Sequence, residues 1–299
     1  MIRFDAFTKT FGSKTAVDAL TLAVRAGEAV ALLGPNGSGK TTTLKAAAGL
    51  IHPTAGEVRI GEPGRPATDP DARSLLSFLP QRVAFPEALT GREVVEFYRR
   101  LRSVDVAHAD AALKLASLNG ASGRAVATYS GGMVQRLGLA VALLPASPVL
   151  LLDEPTAALD PDGLNAFYRV IEQRKTIGQT VVFTSHQLGD AERLADRFAI
   201  LVDGRLAAFL TSAELSDRLA SKGLLRLRLR NVPPSLLASV VRLSPDATLD
   251  GDQLLAPGPA QLRPAVVDCV RASGAEIVAI TAEEGRLDVF YRDLVGGGA

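Results

Sequence analysis

The chain is 299 residues long, 47% hydrophobic and 22% charged, with a formal net charge of +1. That length and apolar content suit one large domain plus a smaller one and exclude a largely disordered chain. The near-zero net charge leaves no global basic field that would draw nucleic acid as a partner. A single cysteine, Cys269, excludes an intrachain disulfide and fits a reducing compartment.

In chain order, residues 2–7 read as an alternating strand without the long apolar core of a signal peptide. Residues 19–24 and 28–33 read as the next two strands, the latter apolar enough to be buried on both faces. Directly after it comes Gly34-Pro35-Asn36-Gly37-Ser38-Gly39-Lys40-Thr41-Thr42, which matches G-x-x-x-x-G-K-[ST]. A helix is predicted from 40 to 49, so the loop joins an apolar strand to a helix N-terminus. Phosphate binding needs both flanks: backbone N–H groups converge on the anion, and the helix dipole favours its charge. In this reading Lys40 pairs with β- and γ-phosphates and the Thr41 hydroxyl ligates Mg²⁺, so ATP or GTP is the expected ligand.

A strand at 75–79 precedes a stretch, about 86–145, that reads as mostly helical, with amphipathic segments at 92–101 and 109–115 and a helix at 131–144. It is expected to be a helical subdomain inserted into an α/β core. Within it lies Tyr129-Ser130-Gly131-Gly132-Met133-Val134-Gln135-Arg136, where Ser130 reads as an N-cap and the two glycines leave backbone N–H groups uncovered. This is a second phosphate-facing terminus. One nucleotide cannot easily touch both within a monomer, whereas a head-to-tail pair of chains places each terminus on the other's nucleotide.

The apolar run 149–152 ends in Asp153-Glu154. Asp153 is placed to hold Mg²⁺, and Glu154 is the candidate to polarise the attacking water. Strands at 180–184 and 198–202 complete an α/β domain with a largely parallel sheet, and His186 follows the first of them. His52 and His108 read as ordinary structural residues. The richest apolar stretch, 137–152, is broken by Gly138, Pro145, Ser147 and Pro148, so it cannot supply the roughly 18 consecutive apolar residues of a membrane span.

A second boundary is expected at Ser221-Lys222-Gly223, dividing a domain of residues 1–220 from one of 224–299. Residues 224–230 alternate strictly and read as an exposed-edge strand, available for pairing. A helix at 234–243, a strand pair around 249–256, a helix at 261–273 and strands near 276–280 and 286–290 give a β-α-β-β-α-β order, a small ferredoxin-like α+β domain. The terminal Gly-Gly-Gly-Ala is expected to fray.

The order of the 34–42 loop, Gln81, Ser130-Gly131-Gly132, the run into Asp153-Glu154, Leu159-Asp160 and His186 resembles the nucleotide-binding domain of ABC transporters over roughly residues 1–217. The resemblance implies a P-loop NTPase core and an ATPase that dimerises around two ATP with Mg²⁺. It further implies a transmembrane permease as partner and a cytoplasmic position, peripheral at the inner face of the membrane. By resemblance, Phe11 stacks on adenine and Gln81 senses Mg²⁺ and the attacking water while contacting the permease. Ser130 and Gly132 bind the γ-phosphate held by the opposing subunit, Asp160 bridges that interface, and His186 contacts the γ-phosphate.

Three positions depart mildly from the pattern: Phe11 replaces the commoner tyrosine, Tyr129 a leucine, and Ala158 a frequent glycine. A soluble translation-linked ABC protein would normally carry two such domains in one chain, and a chromosome ATPase a long heptad insertion; one phosphate loop and no such insertion favour transport. The small C-terminal domain resembles ATPases of the ABC-2 exporter type. Local wording at 79–85, 129–133 and 165–168 is similar to the copper-maturation ATPase of nitrous oxide reductase. On that reading copper handling falls to partners, since three histidines and one cysteine build no copper site here.

Overall fold

The computed structural model describes residues 1–283 apart from Asn119, Ala158, His186, Gln187 and Lys222. Two compact units divide the chain, Met1–Phe209 and Leu210–Ala299.

The first unit opens with the hairpin β1 (Ile2–Phe11) and β2 (Lys14–Val24). Next come β3 (Ala29–Leu33), α1 (Lys40–Ala47), β4 (Ala55–Ile60), β5 (Arg65–Pro66), α2 (Pro70–Ser74) and β6 (Leu76–Leu79). Strands β2-β1-β4-β5 form an antiparallel sheet in that order. Between Phe4 and Phe7 the register slips by one residue against Leu22 and Leu20, with Ala6 at φ 46°. The bulge returns Phe7 to the buried face already occupied by Ile2 and Phe4. Each such fully buried side chain contributes about 1.5–3 kcal/mol.

The remaining elements of this unit are α3 (Gly91–Leu101), α4 (Ala107–Leu115), α5 (Gly131–Leu143), β7 (Val149–Leu152), α6 (Pro161–Thr176), β8 (Thr180–Thr184), α7 (Leu188–Leu194), β9 (Arg197–Val202) and β10 (Arg205–Thr211), whose last two residues fall in the second unit. The central sheet runs β10-β9-β3-β8-β7-β6. From β9 to β6 each strand is parallel to its neighbour. Every residue of β3, β7 and β8 is buried, which is why β3 and β7 read as unbroken apolar runs.

Helices α3, α4 and α5 leave the sheet between β6 and β7, which pair directly with Leu76 opposite Val149. They share a core of Val94, Val95, Leu113, Leu137 and Leu144, as the helical stretch at 86–145 leads one to expect. Thr90 and Glu93 form a full capping box at the start of α3. At its other end this insertion is tied to the sheet layer, where the Ser77 hydroxyl donates to the Ala142 carbonyl at 2.6 Å.

The second unit contains α8 (Ser212–Ala220), β11 (Leu224–Arg230), α9 (Leu236–Val241), β12 (Thr248–Asp250), β13 (Gln253–Pro257), α10 (Arg263–Ala272) and β14 (Glu276–Glu283). The division falls before α8 and not at the Ser221–Gly223 loop: a glycine loop marks where a helix ends, not which unit the helix belongs to. From β11 onward the order is β-α-β-β-α-β, and the strands form an antiparallel sheet β12-β13-β11-β14, the expected small α+β arrangement. The strand expected near 286–290 lies outside the described residues.

Strand β11 is not an edge, contrary to its sequence pattern; it sits between β13 and β14. Its alternation reports one covered face and one wet face, which a central strand of a two-layer sandwich shows as readily as an edge strand. Leu225, Leu227 and Leu229 pack with Leu236, Val240, Val266 and Val270 of α9 and α10, while Arg226, Arg228 and Arg230 are exposed.

Candidate active site

The loop between β3 and α1 is shaped by two glycines. Gly34 has φ 148°, and a Cβ there would lie 2.1 Å from the Leu201 carbonyl oxygen; Gly39 has φ 98°, and its Cβ would lie 2.6 Å from that of Ala16. Only glycine lets the backbone pass so close. Gly39 is also the N-cap of α1 and offers no side-chain cap, and the first turn holds no acid. The N–H groups at this terminus are therefore left for an anion. Inside the loop, Ser38 is buried with its hydroxyl unpartnered.

Lys40 folds back over the loop, its Nζ donating to Gly34 O at 2.7 Å and Pro35 O at 3.0 Å. Burial holds the ammonium below the usual lysine range, and the charges of Glu154 and Asp153 pull the other way.

Asp153 follows β7 and is fully buried. Its Oδ1 accepts from the Thr184 hydroxyl at 2.8 Å and the Thr41 hydroxyl at 3.1 Å. Its Oδ2 has no hydrogen-bond partner. Burial raises this carboxyl above the ordinary aspartate range, against the two hydroxyls that lower it. A buried, unpartnered carboxylate oxygen is costly, and beside the Thr41 hydroxyl it offers a divalent cation a hard oxygen ligand. Among the described residues no group of three or more His, Cys, Asp or Glu could hold a metal by itself. That donor set suits Mg²⁺, which takes one or two carboxylates and completes its shell with water and substrate phosphates.

Glu154 adopts a left-handed backbone, φ 48°, rare outside glycine and a form of strain that clusters at functional sites. Its N–H donates to the Thr184 hydroxyl at 2.7 Å, and its Oε2 accepts from Gln81 Nε2 at 2.9 Å. Thr184 thus holds both acids, a role the sequence reading missed. The signal was the register: Leu152 pairs with Phe183 across β7 and β8, so the residues one step on are neighbours.

A cleft of about 480 Å³ gathers Phe11, Asn36, Gly37, Gly39, Lys40, Thr41, Thr42, Gln81 and Glu154, joined by Lys14 and Ala16, which the sequence reading did not single out. Phe11 stands at the end of β1, 51% exposed, with Lys9 Nζ 5.0 Å from its ring centroid. A larger cleft of about 640 Å³ lies along the antiparallel sheet and contains none of the motif residues.

Ser130, Gly131, Gly132 and Asp160 are not part of the cleft. Ser130 caps α5, its hydroxyl accepting from the Met133 N–H at 3.3 Å, and a side chain at Gly131 would meet nothing within 4 Å. Asp160 caps α6, accepting from the Gly163 N–H at 2.8 Å ahead of Pro161. His186 lies outside the described residues. No helix among the described residues is long and apolar enough to cross a membrane.

Residues 17–157 match the family model described as ABC transporter. The Nod factor export ATP-binding protein I of Burkholderia lata is 40% identical over 212 residues, 69% of this chain and 69% of that one. The daunorubicin resistance ATP-binding protein DrrA3 of Streptomyces coeruleorubidus is 32% identical across 99% of this chain and 96% of its own length. Among solved structures, the dimeric post-hydrolysis state of the ATP-binding cassette MJ0796 bound to ADP and Pi superposes with a TM-score of 0.66. It is 28% identical and covers 71% of this chain and 99% of that one. The narrower similarity to a copper-maturation ATPase gains no support from these relatives. The glycine loop, the paired acids after β7 and these matches agree: the chain belongs to the ATP-binding proteins of ABC transporters and is an ATP-hydrolysing subunit of that family.

Proposed function

We propose that two copies of this chain close head to tail around two ATP and Mg²⁺ and drive a separate membrane permease that exports its cargo. The observation that carries the reading is Asp153, buried beside the first turn of α1 with one oxygen held by Thr41 and Thr184 and the other unpartnered. Thr41, Asp153 and Gln81 are the residues that would hold Mg²⁺, which when bound neutralises charge on the phosphates. Lys40 leaves its two carbonyls for the β- and γ-phosphates, Phe11 stacks the adenine, and Glu154, oriented by Gln81, takes a proton from the attacking water. Ser130, Gly131 and Gly132 present N–H groups to the partner copy's γ-phosphate, Asp160 lies at that interface, and His186 contacts the γ-phosphate held by Lys40. Relatives named for Nod factor and daunorubicin support export without identifying the cargo here.

In this reading the unit ending at Phe209 binds nucleotide, the unit from Leu210 onward is an accessory domain, and the permease holds the chain at the inner face of the membrane. Glu154→Gln tests the core of it. ATP affinity is expected to be retained, phosphate release to fall about 10²–10⁴-fold, and light scattering to show a dimer with Mg²⁺ and ATP. Full phosphate release by that variant would sink the assignment.

A further inference from the structure

Three segments of the chain meet at one buried carboxylate. Asp190 of α7 is 5% exposed and Tyr168 of α6 is 6% exposed. Asp190 Oδ2 accepts from the Thr156 hydroxyl at 2.5 Å, and Oδ1 accepts from the Tyr168 hydroxyl. The Arg193 guanidinium lies 4.1 Å from the Tyr168 ring centroid and 3.6 Å from Glu172. Burial first, then the bond to Asp190, pushes the Tyr168 phenol up to about 12, so it stays a donor. Holding a carboxylate so deep on two hydroxyls costs stability compared with an apolar packing of the same volume. Such an arrangement persists where it does something else.

Thr156 is two residues past Glu154, whose backbone is left-handed. The chain turns tightly here, with the Ala157 N–H donating to Glu154 O at 3.3 Å. The Glu154 N–H is held from the other side by Thr184. Two tethers therefore bracket the strained residue, one before it on β8 and one after it on α7.

We propose that Asp190 is a positioning residue for ATP hydrolysis, acting through the Thr156 hydroxyl to keep Glu154 in the left-handed conformation that aims its carboxylate at the cleft. The inference rests on the reading of Glu154 as the group that activates water. Loosening one tether lets Glu154 relax toward ordinary backbone geometry, and a misplacement near 1 Å costs up to about 100-fold in rate. Nucleotide contacts, made by the loop at 34–42, stay in place.

The test compares ATPase kcat, KM for ATP and melting temperature in the full chain. Thr156→Val, which keeps shape but removes the hydroxyl, is expected to lower kcat about 10-fold or more with KM changed less than about twofold. Thr156→Ser should restore the rate. Asp190→Asn should lower kcat similarly, and the double variant should be no slower than the slower single one, because both act along one path. Tyr168→Phe removes the other hydroxyl and should lower the melting temperature, with a smaller loss of kcat than Thr156→Val. Unchanged kcat in Thr156→Val, a multiplicative loss in the double variant, or equal kcat loss in Tyr168→Phe would each overturn the proposal. Retained turnover in Glu154→Gln would instead fail the reading beneath it, whatever the Thr156 variants do.

Discussion

Helix α1 starts behind Gly39 and helix α5 behind Ser130, and neither has an acid in its first turn. The first terminus is crowded: Lys40 bonds to its own loop, Thr41 to Asp153, and Gln81 reaches Glu154 at the same cleft. Among the described residues the second shows its own cap, with Gly131 facing open space. A terminus whose partners lie in its own chain can be assembled by folding. One left bare is open to another molecule, as in the proposed pair.

The largest expected effect breaks the crowded side. Lys40→Ala should weaken ATP binding by at least about 100-fold in a direct titration, because a buried charge-assisted contact to phosphate is lost. Next, Gly131→Asp places a negative charge at the bare terminus. ATP binding to the chain's own loop should change less than about twofold, while turnover and ATP-dependent dimerisation fall about 100-fold through repulsion of the partner's phosphates. Parallel loss of nucleotide binding would erase the distinction between the two termini.

Thr184→Val sharpens it further by removing a hydroxyl that serves both acids; phosphate release should drop about 10-fold, with a melting temperature lower by about 2–4 °C. Asp153→Asn should do the reverse to stability, raising the melting point of the nucleotide- and metal-free chain by about 2–4 °C at neutral pH while abolishing Mg²⁺-dependent turnover. The folded carboxyl holds its proton more tightly than the unfolded one. The stability it contributes is therefore complete below the ordinary aspartate value, about 3.9, and declines as pH rises through the raised folded value. The advantage of asparagine should vanish in acid. Smallest is Ser130→Ala, about 1 kcal/mol of helix stability by denaturant titration.

What could be read from the chain follows the same division between local and distant causes. The 34–42 loop is contiguous, so its glycines, lysine and threonine announce the phosphate site directly, and the Ser130 cap announces itself just as locally. Thr184 and the Asp190–Thr156–Tyr168 contact were not legible, because each needs the pairing of β7 with β8 or the packing of α6 against α7. The Asp160-Pro161 pair is a standard start signal for α6, yet the sequence reading places no helix there, having taken Asp160 for an interface residue. Strand β11 shows the opposite failure, where a correct reading of alternation was taken one step too far, from a wet face to a free edge.

The bond between Ser77 and Ala142 near the far end of α5 gives that helix the character of a lever. Thirteen residues at about 1.5 Å each make an arm near 20 Å long, clamped at the sheet and ending in Ser130 and its two glycines. A tilt of only about 5° at the clamp sweeps the free end through about 2 Å, beyond the tolerance of a hydrogen bond. In the proposed pair of copies, the stiffness of that end and of the core α5 shares with α3 and α4 sets how closely Ser130 must meet the partner's phosphate.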